Sequence, residues 1–436
     1  MNILTIWLRR ILTTIIIIIF ATAVNLKLYA QQTKTLSIED VYHLARKNYP
    51  LTKQRDLIAK TKDYSLSNAA KGYLPVFSVN GQATYQSTVT SFPFQIPGLS
   101  IPEFNRDQYK FSAQADQIIY DGGIIKTQKE TATANEILQQ QNLEVQLYSF
   151  YDRVNQLFFG AILMDEQLQQ NSLLQQDIQN GIDKAKALVA NGVACRSSVD
   201  ELSAQLLQTQ QARVEFVATK KAFLDMLGLF LDAKLDESTI LEKPAQPVLT
   251  DIVSRPELLA FDSQKKIYDL QGKLLKNQLK PRISFFAQGG YGRPGLNFLS
   301  NTFEWYYTGG LRLLWNFGSL YTLNNNQRLL EINRSSLDVQ QETFLFNTKI
   351  LQKQQHANVE KYDSLIQKDE AIIELRSSVK KAAYAQLENG VLTAHDYINQ
   401  VNAEDHARQS KILHEIQILQ AQYSYQNIVG NVHNLE

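Results

Sequence analysis

The chain has 436 residues, a length that ordinarily folds into two or three globular domains. Its 44 basic and 43 acidic residues balance each other, which argues against nucleic acid or a strongly acidic surface as a partner. Cys195 is the single cysteine, so an intramolecular disulfide and a zinc site built from several cysteines are excluded.

The first thirty residues have the features of a secretory signal. Arg9 and Arg10 precede an apolar run over residues 11–24, and the small residue Ala30 follows a few positions later. A membrane anchor is the alternative, but the apolar run is shorter than the roughly 20 residues that a spanning helix needs. We therefore predict a signal peptide over residues 1–30 and cleavage near Ala30.

A short helix is predicted to begin the mature chain. Ser37 is followed three residues later by Asp40, a spacing that resembles a capping box. A second helix is expected after Pro50, from about residue 51 to residue 72.

Two strands are predicted next, over about residues 75–87 and 108–120. In both runs apolar and polar residues alternate with a period of two, and a loop rich in Ser, Pro and Gly separates them. Pro75 suits the first position of a strand, because its missing amide donor costs nothing there. The pattern becomes helical after Asp121, Gly122 and Gly123. This stretch predicts a hairpin with one apolar and one polar face, mounted on long helices.

Helical periodicity then extends from about residue 123 to residue 191 and predicts one long helix. Asn191 and Gly192 can adopt the left-handed conformation that reverses a chain. Ser197 or Ser198 is expected to cap a return helix that ends near residue 231. The predicted product is an antiparallel helical hairpin with its tip at about residues 191–198.

The second half of the sequence follows the same plan. Pro281 precedes alternating runs over about residues 282–292 and 304–316, and a helical pattern begins after Asn316 and Gly318. A second tip is expected at about residues 389–395. Because Asn-Gly-Val occurs at both tips and the landmarks recur in one order, we predict a duplicated structural unit.

The predicted organisation has five parts. Residues 1–30 are the signal peptide, 31–231 the first repeat, 232–255 a proline-containing linker or equatorial segment, 256–430 the second repeat, and 431–436 a tail. In the last helix, Asp405 and Arg408 interrupt the apolar seam between Val401 and Ile412, so this seam is expected to be polar near the tip.

Four strands in one chain would leave two unpaired edges and an uncovered apolar face. Closed membrane barrels have at least about eight strands, so strands from several chains would have to combine. Three chains would supply twelve strands, but dimers or tetramers would also close the edges. In such a barrel the apolar face would meet lipid, with an interfacial girdle of aromatic residues: Tyr85, Tyr109, Tyr291, Trp305, Tyr306 and Tyr307.

Taken together, these landmarks resemble the outer-membrane efflux protein family of Gram-negative bacteria, the family of TolC. The resemblance covers the whole mature chain and implies a mainly α-helical fold with a small membrane β-barrel. It implies a homotrimer whose twelve-stranded barrel in outer-membrane lipid continues into an α-helical tunnel in the periplasm. It also implies an exit duct that docks to a periplasmic membrane-fusion adaptor and, through it, to an RND or ABC inner-membrane transporter. The adaptor-docking residues would lie at the two tips: Gly192, Val193, Arg196, Gly390 and Val391.

The same resemblance locates a periplasmic gate. One of the family's inward-pointing aspartates falls on Asp396, and the second falls on Asn399. The tyrosine and arginine positions of the family's polar lock fall on Leu387 and Leu392, and the aspartate of its first tip falls on Ser198. Since most lock side chains are replaced, we expect closure by apolar packing of Leu387 and Leu392. The alternative interpretation of Asp396 is a solvated helix N-cap beside Thr393.

The patterns indicate a transport protein and not an enzyme, and no cofactor is implied. His395-Asp396 and Asp405-His406 resemble metal ligands singly, but their separation along one helix is too large for one ion. A periplasmic coiled-coil scaffold without a channel is the alternative function; it would explain the helices but not four strands with an aromatic face. A secreted adhesin with a trimeric stalk would predict no second hairpin. The exported substrate is not specified by the sequence.

Overall fold

The computed structural model describes residues 35–89 and 105–431. The predicted signal peptide, most of the loop between the first two strands and the tail beyond residue 431 lie outside the described residues. The chain divides into two compact units. We call them the helical unit, with residues up to 52, 146–255 and 346 onward, and the sheet unit, with residues 53–145 and 256–345.

Helices make up most of the described chain, and a few strands accompany them, as the sequence predicts. The elements in chain order are β1 (Thr35–Leu36), α1 (Ile38–Asn48), α2 (Gln54–Lys71), β2 (Val76–Tyr85), β3 (Asp107–Tyr120), α3 (Ile124–Tyr148), α4 (Phe150–Ala190), α5 (Arg196–Leu231), β4 (Ile240–Leu241), α6 (Pro256–Gln278), β5 (Arg282–Arg293), β6 (Glu304–Leu314), α7 (Leu320–Glu388) and α8 (Ala394–Val429).

The sheet unit contains a four-stranded antiparallel sheet in the order β2-β3-β5-β6. β3 and β5 form the centre, with Phe111 opposite Tyr291, and β2 and β6 form the two edges. Both edge strands have their outer side unpaired within the described residues. The loop end of the sheet lies at Asp107 and Arg293, and the helix end lies where β3 leads into α3.

The helical unit is built around the hairpin of α4 and α5, against which α8 packs. Its core is aromatic where Phe158, Phe159 and Tyr423 meet. Helix α1 docks there through Tyr42, whose ring lies edge-on to Tyr151 with 4.9 Å between the ring centroids. The segment between α5 and α6 contributes β4, which pairs in parallel with β1.

Two local expectations have different outcomes. The capping box of α1 is confirmed, because the Asp40 amide donates to Ser37 Oγ at 3.1 Å and the Ser37 amide donates to Asp40 Oδ2 at 3.2 Å. The cap predicted at Ser197 or Ser198 is wrong. Helix α5 begins at Arg196 after Cys195, without a side-chain cap, so both serines already lie within the helix.

The prediction of one continuous helix over residues 123–191 is also wrong in detail. The chain forms α3 and α4, which are separated at Ser149. The Ser149 hydroxyl donates to the carbonyl of Gln146 at 2.9 Å. A serine hydroxyl that competes for a backbone carbonyl perturbs helix geometry, which a periodic apolar pattern does not reveal.

Candidate functional site

The exposed face of the sheet is the apolar one. Along β5, Phe285 and Tyr291 are exposed, whereas the alternate residues Gln288 and Gly290 are partly or fully buried. The same alternation holds in β6, where Trp305 is 83% and Tyr307 is 86% exposed. A sheet in water normally shows the opposite arrangement, with its polar face outward. The alternation therefore indicates a sheet whose apolar side is suited to an apolar environment.

Polar side chains on the other face bond to one another. Gln288 Nε2 donates to Ser112 Oγ at 3.1 Å, and Gln114 Nε2 donates to Asp116 Oδ2 at 2.6 Å. Arg312 pairs with Asp116 at 3.3 Å. These bonds connect β3 with β5 and β6, so the polar face is an interlinked surface.

Glycines on the polar face permit close approach between neighbouring strands. A Cβ added to Gly290 would lie 2.7 Å from the carbonyl oxygen of Phe111, and one added to Gly292 would lie 2.7 Å from that of Tyr109. On the apolar face, a Cβ at Gly289 would meet nothing closer than 3.9 Å, and one at Gly309 would lie 3.4 Å from the carbonyl oxygen of Phe286. The polar side of β5 is thus the side on which only glycine permits this close backbone approach.

The sequence prediction placed one residue of the aromatic girdle on the wrong face. Tyr306 pairs with Gly290 on the polar face, whereas its neighbours Trp305 and Tyr307 project from the apolar face. Period-two geometry forbids three consecutive residues on one face. Tyr85, Tyr109 and Tyr291, which the sequence placed in the girdle, do lie on the apolar face.

The first strand-to-helix junction is held by Asp121 and by a residue that the sequence did not single out. Asp121 Oδ1 accepts from the Gly123 amide at 2.9 Å, and Oδ2 accepts from the Ile125 amide at 2.5 Å. Gly122 and Gly123 have φ of 76° and 89°, which favours glycine. The buried Asn277 of α6 donates to the Gly123 carbonyl at 3.1 Å and to Thr127 Oγ1 at 2.8 Å. No local motif reveals this contact, because 150 residues separate Asn277 from Thr127.

The remaining junctions are simpler. Pro75 and Pro281 directly precede β2 and β5, where their missing donors cost nothing. Asn316 Oδ1 accepts from the Gly318 amide at 2.9 Å, as Asp121 does at the first junction. Trp315 Nε1 donates to the carbonyl of Leu279 at 2.9 Å and ties the end of β6 to the end of α6.

The two tips of the helical unit have matching backbones and touch each other. Gly192 and Gly390 have φ of 75° and 71°. The amides of Val193 and Val391 each donate back to a carbonyl five residues earlier, both at 2.9 Å. A Cβ on Gly390 would lie 3.0 Å from Val193 Cγ1, so the tips are in contact. Val193 and Val391 are 61% and 77% exposed, and Arg196 is also exposed.

The predicted gate residues divide between the interior and the surface of this unit. Leu387 is 2% exposed and packs in a cluster with Ile182 and Tyr397, while Leu392 packs at its margin and is partly exposed. The chain's own helices therefore enclose Leu387. The other three residues lie outside this cluster: Asp396 and Asn399 are exposed, and Ser198 is partly exposed.

Asp396 takes part in the start of α8. Its amide donates to Thr393 Oγ1 at 3.1 Å, and the Thr393 hydroxyl donates to Asp396 Oδ2 at 2.7 Å. Thr393 is therefore the N-cap and Asp396 is the third residue of the helix, so the alternative that made Asp396 the N-cap is wrong in position. Nearby, His395 Nδ1 lies 2.7 Å from Glu201 Oε1 of α5. The bond to Glu201 raises the pKa of His395.

A charged cluster lies between α4, α7 and α8. Lys380 bonds to Asp177 at 2.7 Å and also to Glu404, while Arg408 bonds to Glu404 at 2.7 Å. Burial opposes the charge of Glu404, but the bonds from Lys380 and Arg408 outweigh it and hold the pKa of Glu404 below its usual value. Burial raises the pKa of Asp405, although Gln170 donates to it at 2.9 Å. This cluster is the polar interruption that the sequence predicts in the seam of α8.

No group of three or more His, Cys, Asp or Glu within residues 35–89 and 105–431 is arranged to hold a metal ion. None of the helices in the same ranges combines the length and apolar character needed to cross a bilayer.

Solved structures with the same architecture are outer-membrane proteins. The outer membrane protein VceC of Vibrio cholerae matches with a TM-score of 0.63 and 12% identity, covering 90% of this chain and 96% of that one. The open MtrE channel of Neisseria gonorrhoeae matches with a TM-score of 0.61 and 12% identity over 90% and 88% of the two chains. The CmeC channel of Campylobacter jejuni matches with a TM-score of 0.57 and 14% identity over 91% and 85%.

This chain has the fold of the outer-membrane channels. At these identities the likeness establishes the fold, and it confirms the mainly helical chain with a few sheet strands that the sequence resemblance implied. No family model and no curated protein matches the sequence.

Proposed function

We propose that this chain is an outer-membrane channel that serves as the exit duct of a tripartite efflux or type I secretion system. Three chains assemble into a twelve-stranded barrel in the outer membrane, and their helices form a tunnel in the periplasm. The protein passes a substrate from an inner-membrane RND or ABC transporter and a periplasmic membrane-fusion adaptor to the outside. It acts as a passage and not as an enzyme.

The observation that carries this proposal is the reversed polarity of the sheet. Its exposed side is aromatic and aliphatic, and its other side is polar and hydrogen-bonded. A membrane barrel has an apolar band outside, aromatic residues near the interfaces and a polar interior. Unpaired edges at β2 and β6 favour assembly, since joining β6 of one chain to β2 of the next would satisfy both.

The alternative function, a periplasmic trimeric scaffold without a channel, is supported by the long helices alone. It gives no role to the exposed side chains of Phe77, Trp305 and Tyr307. Contiguous apolar surface of this kind in water promotes aggregation.

Adjacent residues of β6 test the proposal. Tyr307 projects from the apolar face, and Thr308 projects from the polar face beside Gln288. We expect Tyr307→Arg to reduce modestly the amount of assembled protein in the outer membrane, because a lipid-facing arginine costs up to about 1 kcal/mol even near the interface, where the aromatic girdle lies. Thr308→Arg should assemble normally and change the ion selectivity of the reconstituted channel. Equal tolerance of both variants, with no channel activity from the parent protein, would favour the scaffold.

At the tips, we propose that exposed Val193, Val391 and Arg196, with the turns at Gly192 and Gly390, form the adaptor-docking surface. The gate lies beside them, near Leu392, Asp396 and Asn399. Because Leu387 packs inside its own chain, Leu392 is the leucine of the pair that remains accessible for contacts across the mouth.

Substitution of Leu392 tests this gate. We expect Leu392→Ala to increase the conductance of the reconstituted channel, since a smaller side chain weakens apolar packing across the mouth. Val391→Ala, one residue away and 77% exposed, is the control for general loosening of the tip. Unchanged conductance in Leu392→Ala would place the gate elsewhere.

A further inference from the structure

We propose that two glycines on the polar face, Gly290 and Gly310, set the free width of the barrel lumen by letting Tyr306 and Phe286 lie flat along the sheet. This inference rests on the proposed channel function, in which the polar face lines the lumen. It assigns a size-determining role to a glycine and aromatic pair at two levels of the barrel.

Tyr306 lies across the neighbouring strand. The ring belongs to β6, and its Cα partner on β5 is Gly290. A Cβ on Gly290 would lie 2.5 Å from Tyr306 Cζ and 2.6 Å from its hydroxyl oxygen. Real atoms do not approach so closely, so the far end of the phenol ring occupies the space that a side chain at position 290 would need.

Phe286 forms the second pair, in which the aromatic residue lies on β5 and the glycine lies on β6. It belongs to β5, its Cα partner on β6 is Gly310, and a Cβ on Gly310 would lie 3.4 Å from Phe286 Cε1. The guanidinium of Arg312 lies 4.7 Å from the centroid of this ring and bonds to Asp116 at 3.3 Å. The cation above the ring therefore stabilises its position, and the missing side chain at Gly310 leaves room for the ring edge.

The consequence concerns the bore of the channel. Aromatic rings that stood upright on the polar face would project into the lumen from every chain. Rings that lie over glycines leave that space to water and cargo, and they restore the packing that glycine lacks in a strand.

Gly310→Leu is the most direct perturbation. An added Cβ at this position meets only side-chain atoms of Phe286, whereas one at Gly290 would also meet the backbone of Phe111. The leucine would push the Phe286 ring away from the sheet and into the lumen. Gly309→Leu is the matched control, because Gly309 is the next residue and projects from the apolar face.

A cysteine on the helix side of Phe286 reports the free width of the lumen, because a reagent from outside the cell must pass Phe286 to reach it. Ser284 lies on the polar face two residue pairs closer to the helices than Phe286, opposite Arg312. Ser284→Cys is introduced together with Cys195→Ser, which removes the single native cysteine. Intact cells are then treated with maleimides carrying polyethylene glycol chains of increasing length, and the largest reagent that labels position 284 is recorded.

We expect the exclusion size to fall in Gly310→Leu, to stay at the parent value in Gly309→Leu, and to recover in the double variant Phe286→Ala with Gly310→Leu. The same exclusion size in Gly310→Leu and in the parent would overturn the inference while leaving the channel intact. Failure of every water-soluble reagent to label the parent cysteine would instead contradict the proposed channel function itself.

Discussion

Neighbouring carboxylates in α8 have opposite electrostatic environments. Glu404 bonds to Lys380 and Arg408, and its pKa lies below the usual value. Asp405 is buried with only amide donors at Gln170 and Gln409, and its pKa lies above the usual value. The ionised form of Glu404 therefore stabilises the fold, whereas the ionised form of Asp405 destabilises it.

The two residues predict opposite pH dependences. Stability from Glu404 is present above the unfolded-state pKa of about 4.3 and is lost as the pH falls through the lower folded-state pKa. Stability from Asp405 is present below its unfolded-state pKa of about 3.9 and is lost as the pH rises through the higher folded-state pKa. Glu404→Gln should thus be most destabilising near neutral pH and approach the parent in acid.

The stability of Asp405→Asn relative to the parent protein should increase as the pH rises. Urea unfolding of the detergent-extracted proteins between about pH 3 and pH 7 measures both trends, given these ordinary carboxyl pKa values. Each variant serves as the other's control, since both replace an acid by its amide in the same helix. Parallel pH profiles for the two variants would contradict the opposite assignments.

At the scale of elements, the contact between α4 and α8 depends on one small residue. A Cβ on Gly181 of α4 would lie 2.6 Å from Tyr397 Cε1 of α8. Tyr397 is 2% exposed, and its hydroxyl donates to the carbonyl of Asp177 at 3.1 Å. The ring cannot move away without losing this bond and its place in the core near the tips.

Gly181→Ala should therefore lower stability by about 1–3 kcal/mol through overpacking, although alanine is the better helix former. Gly272→Ala in α6 is the comparison, because its added Cβ would lie 3.8 Å from Leu330 in ordinary contact. That substitution should raise stability by up to about 1 kcal/mol. Unfolding midpoints measure both, and stabilisation by Gly181→Ala would show that α8 can shift away from α4.

For the whole molecule, the proposed assembly predicts a mass and a location. Protein extracted from the outer-membrane fraction in detergent should have the native mass of three processed chains, because the proposed barrel combines three copies of the four-stranded sheet. Its amino terminus should lie near Gln31 if the predicted signal peptide is removed. A soluble monomer or dimer in the periplasm would contradict the channel and leave the scaffold as the better explanation.

Sequence alone was sufficient for features that depend on neighbouring residues. Period-two alternation located the strands, positive-φ glycines such as Gly192 located the tips, and Ser37 with Asp40 predicted a cap. Each of these signals acts through the backbone within a few residues. The same local reasoning missed the boundary between α3 and α4 at Ser149, which lies within an otherwise continuous helical pattern.

Only the tertiary structure decided the contacts between residues that are distant in the chain. The partners of Asn277 and Lys380, the burial of Leu387 and the position of the Tyr306 ring over Gly290 all join elements far apart in sequence. A residue's type states which bonds it can make, but packing determines which atoms come within reach. Sequence therefore determined the pattern of strands, helices and turns, and the fold determined which polar groups are paired and which side chains lie against one another.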